Sequence, residues 1–245
     1  MDERGTMLGD RAVLRVAGDD ARAFLNGLTT QDVPALADGQ ACWAGLLTPQ
    51  GKALFDFILW ADGEAVLIDC EADQREALAR RLATYRLRRA ISIEPVAAMV
   101  HWAIDGPLGL PDPRLPALGR RWLGGRGAPA SGWRAHRLAL GVTEGVGELG
   151  QDKTLWLEAN ARELCGVSFT KGCYVGQENT ARMHYRSKVN RRLVVAPIAP
   201  AGDRTRAVYG ELGMMVELRR IEALGDALVP GWLAPALADQ RPIDE

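Results

Sequence analysis

The sequence predicts an α+β protein built from antiparallel strands with a few helices packed on them. Three observations carry this. Short apolar runs, some with the two-residue alternation of a half-buried strand, recur through the first hundred residues. Helical spacing is sustained mainly over residues 71–88, where leucines and alanines recur among charges. No Gly-rich strand-to-helix turn of a dinucleotide-binding fold is present, so antiparallel sheets with helices on one face are favoured over a doubly wound parallel sheet.

The elements run in order along the chain. Residues 11–17 alternate and read as a strand, after which Gly18-Asp19-Asp20 makes a turn with a helix N-cap. Ala21, Phe24, Leu25 and Leu28 then fall at helical spacing. Two apolar runs, 41–47 and 53–60, are separated by Thr48-Pro49-Gln50-Gly51, and the hairpin signal Asp62-Gly63 precedes a strand at 65–69. Residues 91–95 and 99–104 complete the early strands. Composition then shifts to Gly and Pro over 105–132, which predicts a long surface excursion or a subdomain boundary. Helical spacing resumes over 133–140, and 141–152 is glycine-rich and acidic. A helix is expected from Gln177. Residues 193–198 and 207–218 read as strands of a small C-terminal β unit, and the tail from Pro235 as loose. The division is thus 1–190 and 191–245.

Bulk properties exclude several classes. The 245 residues suffice for one large domain or two small ones. Thirty basic against thirty-one acidic side chains argue against a protein-wide DNA-binding surface. No run approaches the roughly 20 apolar residues of a membrane span, and the acidic start at Asp2-Glu3 lacks a signal peptide's apolar region. Cys42, Cys70, Cys165 and Cys173 are scattered without zinc-site spacing. A cytoplasmic monomer with no stably bound metal is expected.

The chemistry concentrates in Gly166–Arg182. Gly172 and Gly176 bracket Cys173-Tyr174-Val175, so the backbone there is free to take conformations closed to other residues. With a helix starting at Gln177, Cys173 sits just before a helix N-terminus that favours a thiolate, and Lys171 lies two residues away. Lys171, Arg182, Arg186, Lys188, Arg191 and Arg192 against Glu178 give a local excess of five positive charges, suited to anionic ligands. Each feature also has a plainer reading: a cysteine as a small buried hydrophobe, the basic run as a solvated helix face, the glycines as a tight turn.

Taken together, Lys171-Gly172-Cys173-Tyr174-Val175-Gly176-Gln177-Glu178 resembles the K-G-C-Y-x-G-Q-E signature of the YgfZ family of folate-binding proteins, related to the aminomethyltransferase (T-protein) of glycine cleavage. Phe24–Val33, Leu47–Lys52, Arg137 with Gly141, and Asn160 ahead of Gly166–Phe169 are similar to other family stretches, in the expected order. The resemblance implies intertwined, ferredoxin-like α+β subdomains around a folate-sized cavity, with a C-terminal β-barrel that is short here. It implies tetrahydrofolate or a glutamylated folate as ligand. It further implies service to iron–sulfur client or assembly proteins, tRNA-modifying enzymes among the clients. By position, Cys173 and Lys171 are the implied chemical residues, and Asp56, Tyr174, Gln177, Glu178, Arg182 and Asn160 the implied folate-binding set.

The chain departs from the T-protein pattern at Ala139, where R-x-E-x-G has an acid, and at Phe55, the first of two paired acids; Asp56 is kept. Losing groups that orient the pterin and manage protons weighs against aminomethyl transfer. Asp56 is a candidate folate contact or an exposed strand acid. Trp156 stands where a proline is usual, which predicts a different loop. A folate-dependent one-carbon transferase is the alternative function, and an RNA-binding module using residues 171–192 a third.

Overall fold

The computed structural model describes residues 5–185 and 188–238. Strands β1 (Arg11–Ala17), β2 (Ala41–Leu47), β3 (Ala53–Asp62), β4 (Ala65–Glu71) and β5 (Ser92–Val96) form an antiparallel sheet in the order β2-β3-β4-β1-β5. Helices α1 (Ala21–Asn26) and α2 (Arg75–Arg86) connect them. Leu14, Val16, Phe57, Leu59 and Ile68 project to one face and pack with Phe24 and Leu25 of α1 and Leu78 and Leu82 of α2. Val13, Trp43, Ile58 and Trp60 project to the other, against Trp102, Trp133 and Trp156. Burial on both faces explains why 57–60 is apolar without alternation. The sheet is therefore covered on two faces, where the sequence predicted one.

The Gly/Pro-rich segment after β6 (Met99–Ala103) is structured. β8 (Arg120–Gly124) pairs with β6 on one side and with β7 (Leu110–Pro111) on the other, a second antiparallel sheet ordered β6-β8-β7. Two of its glycines meet close backbone: a Cβ on Gly109 would lie 2.3 Å from the Arg121 carbonyl oxygen, and one on Gly119 2.4 Å from that of Ala103. Next come two helices, α3 (Trp133–Ala139) and the five-residue α4 (Gly145–Leu149), the latter within the stretch read as glycine-rich and acidic. α5 (Gln177–Tyr185) begins at the expected residue.

β9 (Arg191–Pro197), β10 (Thr205–Tyr209) and β11 (Met214–Arg220) form a three-stranded antiparallel sheet in the order β10-β11-β9. The predicted run 207–218 is thus two strands around a turn at Gly210–Leu212. The segment from Pro235, read as loose, is helical through α6 (Ala234–Ala238); the rest of that tail, 239–245, lies outside the described residues. Among the described residues no helix is long and apolar enough to cross a membrane.

Candidate functional site

The chain from Gly166 to α5 is clamped at both ends, leaving its middle exposed. The Lys171 ammonium donates to the carbonyl oxygens of Asn26 and Thr29, each at 2.5 Å, and lies 4.7 Å from the centroid of the Tyr174 ring. Tyr174 is itself buried. Gly176 has φ +87°, and a Cβ there would stand 2.5 Å from the Thr48 carbonyl oxygen, so only glycine passes this close to the β2–β3 turn. The Asn179 amide donates to the Gln50 carbonyl (2.9 Å), and the Thr180 hydroxyl to that of Gly176 (3.1 Å). Between these anchors Gly172 and Cys173 are exposed. A shallow groove beside them is lined by Pro49, Tyr85, Tyr174, Gln177, Glu178 and Ala181.

Lys171 does not take the role the sequence suggested. Its ammonium is turned into the protein onto two carbonyls, and burial lowers its pKa to about 8, with Asp32 and Cys42 its charged or titratable neighbours. It holds the loop and does not face Cys173. The basic run is likewise not one surface. Lys171 and Arg192 are buried, Arg192 in a two-point ion pair with Glu163 (2.7 and 2.9 Å), whereas Arg182 and Arg191 are exposed. Arg186 lies outside the described residues.

Asp56 and Asn160 are not brought to this loop's surface. Asn160, in the left-handed region at φ +61°, donates to the Leu193 carbonyl and so fastens the loop to β9. Asp56 is 2 % exposed, which removes the exposed-acid reading. Its two oxygens accept from Trp43 Nε1 and the Gly145 amide, both at 3.0 Å. Burial raises its pKa.

A second feature is a polar cavity of about 380 Å³, walled by Arg11, Glu71, Trp133, Arg137, Glu148 and Tyr209 among others. Behind it runs a buried ion network. Asp69 accepts from Arg11 Nε (2.6 Å) and Arg121 Nη1 (2.8 Å). Glu144 accepts from Arg114 (2.6 Å) and Arg121 (3.0 Å), and Arg137 is paired with Glu148 at two points, both 2.7 Å. Burial alone would raise the Glu144 pKa, but Arg114, Arg121, Arg11 and Arg137 hold it well below the carboxylate range. Glu71 differs: burial, then the nearby Asp56 charge, push its carboxyl up to about 7. The Tyr209 hydroxyl donates to Glu148 at 2.6 Å.

Of these cavity residues the sequence reading named only Arg137. One signal was available: Arg11 stands at an inward position of β1, two residues before buried Val13, and a buried strand arginine needs carboxylates around it. The acids that answer it are Asp69 of β4 and Glu144, the latter in a stretch whose glycine content hid it. Ala139, noted for a missing acid, is exposed and outside the cavity wall.

Fold and site together define an α+β protein with two distinctive parts: an exposed thiol on a clamped loop and a half-open, charge-lined cavity. Its fold is that of the glycine cleavage system aminomethyltransferase T from Bartonella henselae, with a TM-score of 0.56 over 90% of this chain and 80% of that one, at 13% identity. In sequence the chain is 34% identical to the human iron-sulfur cluster assembly factor IBA57, mitochondrial, over 76% of this chain and 64% of that protein. It is 33% identical to the mouse protein of the same name, with the same shares, and 30% identical to the Neurospora crassa homolog over 77% and 52%. The chain thus spans less than two thirds of the length of these relatives. No family model matches it.

Proposed function

We propose that this protein is a YgfZ-type, tetrahydrofolate-binding accessory factor for the assembly or repair of iron–sulfur clusters in client enzymes, tRNA-modifying ones included. The observation that carries the reading is the presentation of Cys173. A buried lysine, a buried tyrosine and a positive-φ glycine hold the loop rigid while the thiol stays exposed. Such a group suits contact with another protein. An iron–sulfur cluster normally takes about four thiolates, so the cluster is held by, or shared with, a client or assembly protein, and Cys173 acts in transfer. The relatives' names as assembly factors support the same role.

The folate half of the reading rests on the cavity. Among the described residues Arg11 Nη1 and Arg137 Nε are buried without hydrogen-bond partners, and Glu71 offers a carboxyl, so the wall has polar valences for a ligand to fill. A volume of about 380 Å³ accepts a bicyclic pterin. The benzoyl-glutamate tail then leaves past Arg134, whose exposed guanidinium suits its carboxylates. Glu71, Arg11 and Arg137 would hold the pterin, which when bound supplies one-carbon or redox chemistry. Tyr174, Gln177, Glu178 and Arg182 are assigned to the thiol face, and Asp56 and Asn160 to support beneath it.

We place the protein in the cytoplasm as a monomer. The relatives are named mitochondrial, and both compartments keep free thiols of the kind seen at all four cysteines.

Titration with tetrahydrofolate and its glutamylated form, in wild type and Cys173→Ala, tests the reading. Saturable binding retained by the variant, with loss of iron–sulfur enzyme activity in cells carrying it, is expected. No binding at millimolar folate sinks the folate half. Folate-dependent one-carbon turnover abolished by Asp56→Asn would instead establish the transferase alternative.

A further inference from the structure

The charges around the cavity do not balance. Among the described residues four guanidiniums, Arg11, Arg114, Arg121 and Arg137, are ion-paired with four carboxylates, Asp69, Asp112, Glu144 and Glu148. Asp56 and Glu71 are two further carboxyls with backbone and indole donors only. Asp56 stands outside the cavity wall, whereas Glu71 lines it. Glu71 Oε2 accepts from the Val146 amide at 2.8 Å, while no hydrogen bond from the described residues reaches Oε1. Oε1 lies against Gly145, where a Cβ would be 2.3 Å from it, so the glycine makes room for the carboxyl. On the same wall Arg11 Nη1 is buried and unpartnered among the described residues, the Glu144 carboxylate oxygen lying 4.0 Å away. The wall therefore carries one acceptor and one buried donor without hydrogen bonds, in a volume with surplus negative charge.

We propose that Glu71 is the recognition residue of this cavity: its Oε1 accepts from the N–H groups of an aminopyrimidinone edge, whose ring carbonyl accepts from Arg11 Nη1. A pterin head carries that edge, so the assignment rests on the folate reading and places recognition within it on β4 instead of on the helix of Ala139. Binding is also tied to protons. Glu71 faces Asp56 from β3, Asp10 and Arg11 at the start of β1, Asp73 from the turn after β4, Glu144, Glu148, Arg134 and Arg137 from the helical side, and Tyr209 from β10. Burial and the excess of acids keep the carboxyl partly protonated near neutrality. A proton on Glu71 and an N–H donor from the ligand compete for the same oxygen.

The test uses the full chain and two fragments under anaerobic conditions, 6-methyltetrahydropterin for the head and p-aminobenzoylglutamate for the tail. With a carboxyl titrating near 7, the wild-type Kd for the head should tighten about tenfold from about pH 6 to about pH 8. Glu71→Gln should abolish that dependence and weaken the head at least tenfold, leaving the tail fragment unaffected. A flat wild-type profile, or a Gln variant that binds the head like wild type, overturns the assignment and leaves folate binding standing. No binding of tetrahydrofolate or either fragment to wild type overturns both. The wild-type profile needs no variant, and so is independent of any folding defect in Glu71→Gln.

Discussion

Trp43 on β2 and Trp156 meet in the core with ring centroids 4.7 Å apart and planes tilted by 41°. Two glycines let them close: a Cβ on Gly45 would lie 2.9 Å from the Trp156 ring, and one on Gly166 2.5 Å from that of Trp43. Trp156 Nε1 donates to the Gly166 carbonyl at 2.9 Å and Trp43 Nε1 to Asp56 at 3.0 Å. Trp156 is therefore a core element, joining the first sheet to the segment that becomes the Cys173 loop.

Trp156→Ala should destabilise the protein by about 3–5 kcal/mol, the range for deleting a buried aromatic, read as a lower urea midpoint at unchanged slope. Gly166→Ala should also destabilise, through the clash with Trp43. A wild-type midpoint in either variant would show that the pair is not packed as described.

Lys171→Met removes the donor of the Asn26 and Thr29 carbonyls, and each unsatisfied acceptor costs about 1–3 kcal/mol. Because the ammonium points into the protein, alkylation of Cys173 should proceed at the wild-type rate in the folded variant. A marked slowing would return Lys171 to a role in activating the thiol.

Thiol accessibility divides the cysteines in pairs. Cys173 and Cys165 are exposed and should react with a maleimide in the native state. Cys70 is buried and Cys42 half-buried, and burial pushes both thiols up to about 12. Both should label only on unfolding. Mass spectrometry after a short native pulse should find two adducts, and Cys173→Ser one. The serine variant should keep its stability within about 0.5 kcal/mol, as an exposed substitution.

Glu71 gives stability a pH dependence of definite sign. A glutamate in the unfolded chain titrates near 4.5 and Glu71 in the fold near 7, so the folded state holds the proton more tightly. Its contribution is complete below about 4.5 and is lost as pH rises through 7. Glu71→Gln mimics the protonated form. Its Tm should follow wild type at low pH and exceed it above neutrality, by an amount equivalent to about 1–3 kcal/mol after allowing for solvent. A difference that does not vary with pH would place the titration elsewhere.

The first sheet was legible in the sequence because its strands obey local rules. The range of β1 and β2 comes from apolar patterning and flanking turns, and α5 from the residues around Gln177. The second sheet was not. β7 is two residues long and β8 contains Arg120 and Arg121, so neither shows a strand's apolar alternation; Arg121 is buried only because Asp69, Asp112 and Glu144 come from distant segments. The thiol was legible as a motif. The inward turn of Lys171 was not, because its acceptors are backbone carbonyls about 145 residues upstream, and such carbonyls leave no mark in composition.

The ion network also decides how this protein can come apart. Arg11 belongs to β1, Asp69 to β4, Arg121 to β8, and Arg137 and Glu148 to α3 and α4. Drawing the second sheet off the first would separate fully buried charges, at several kcal/mol for each ion left without its partner. A half-open molecule is thus a high-energy state. Amides of β1 and β8 should exchange with solvent only through global opening and at a common rate, as one cooperative unit spanning both sheets.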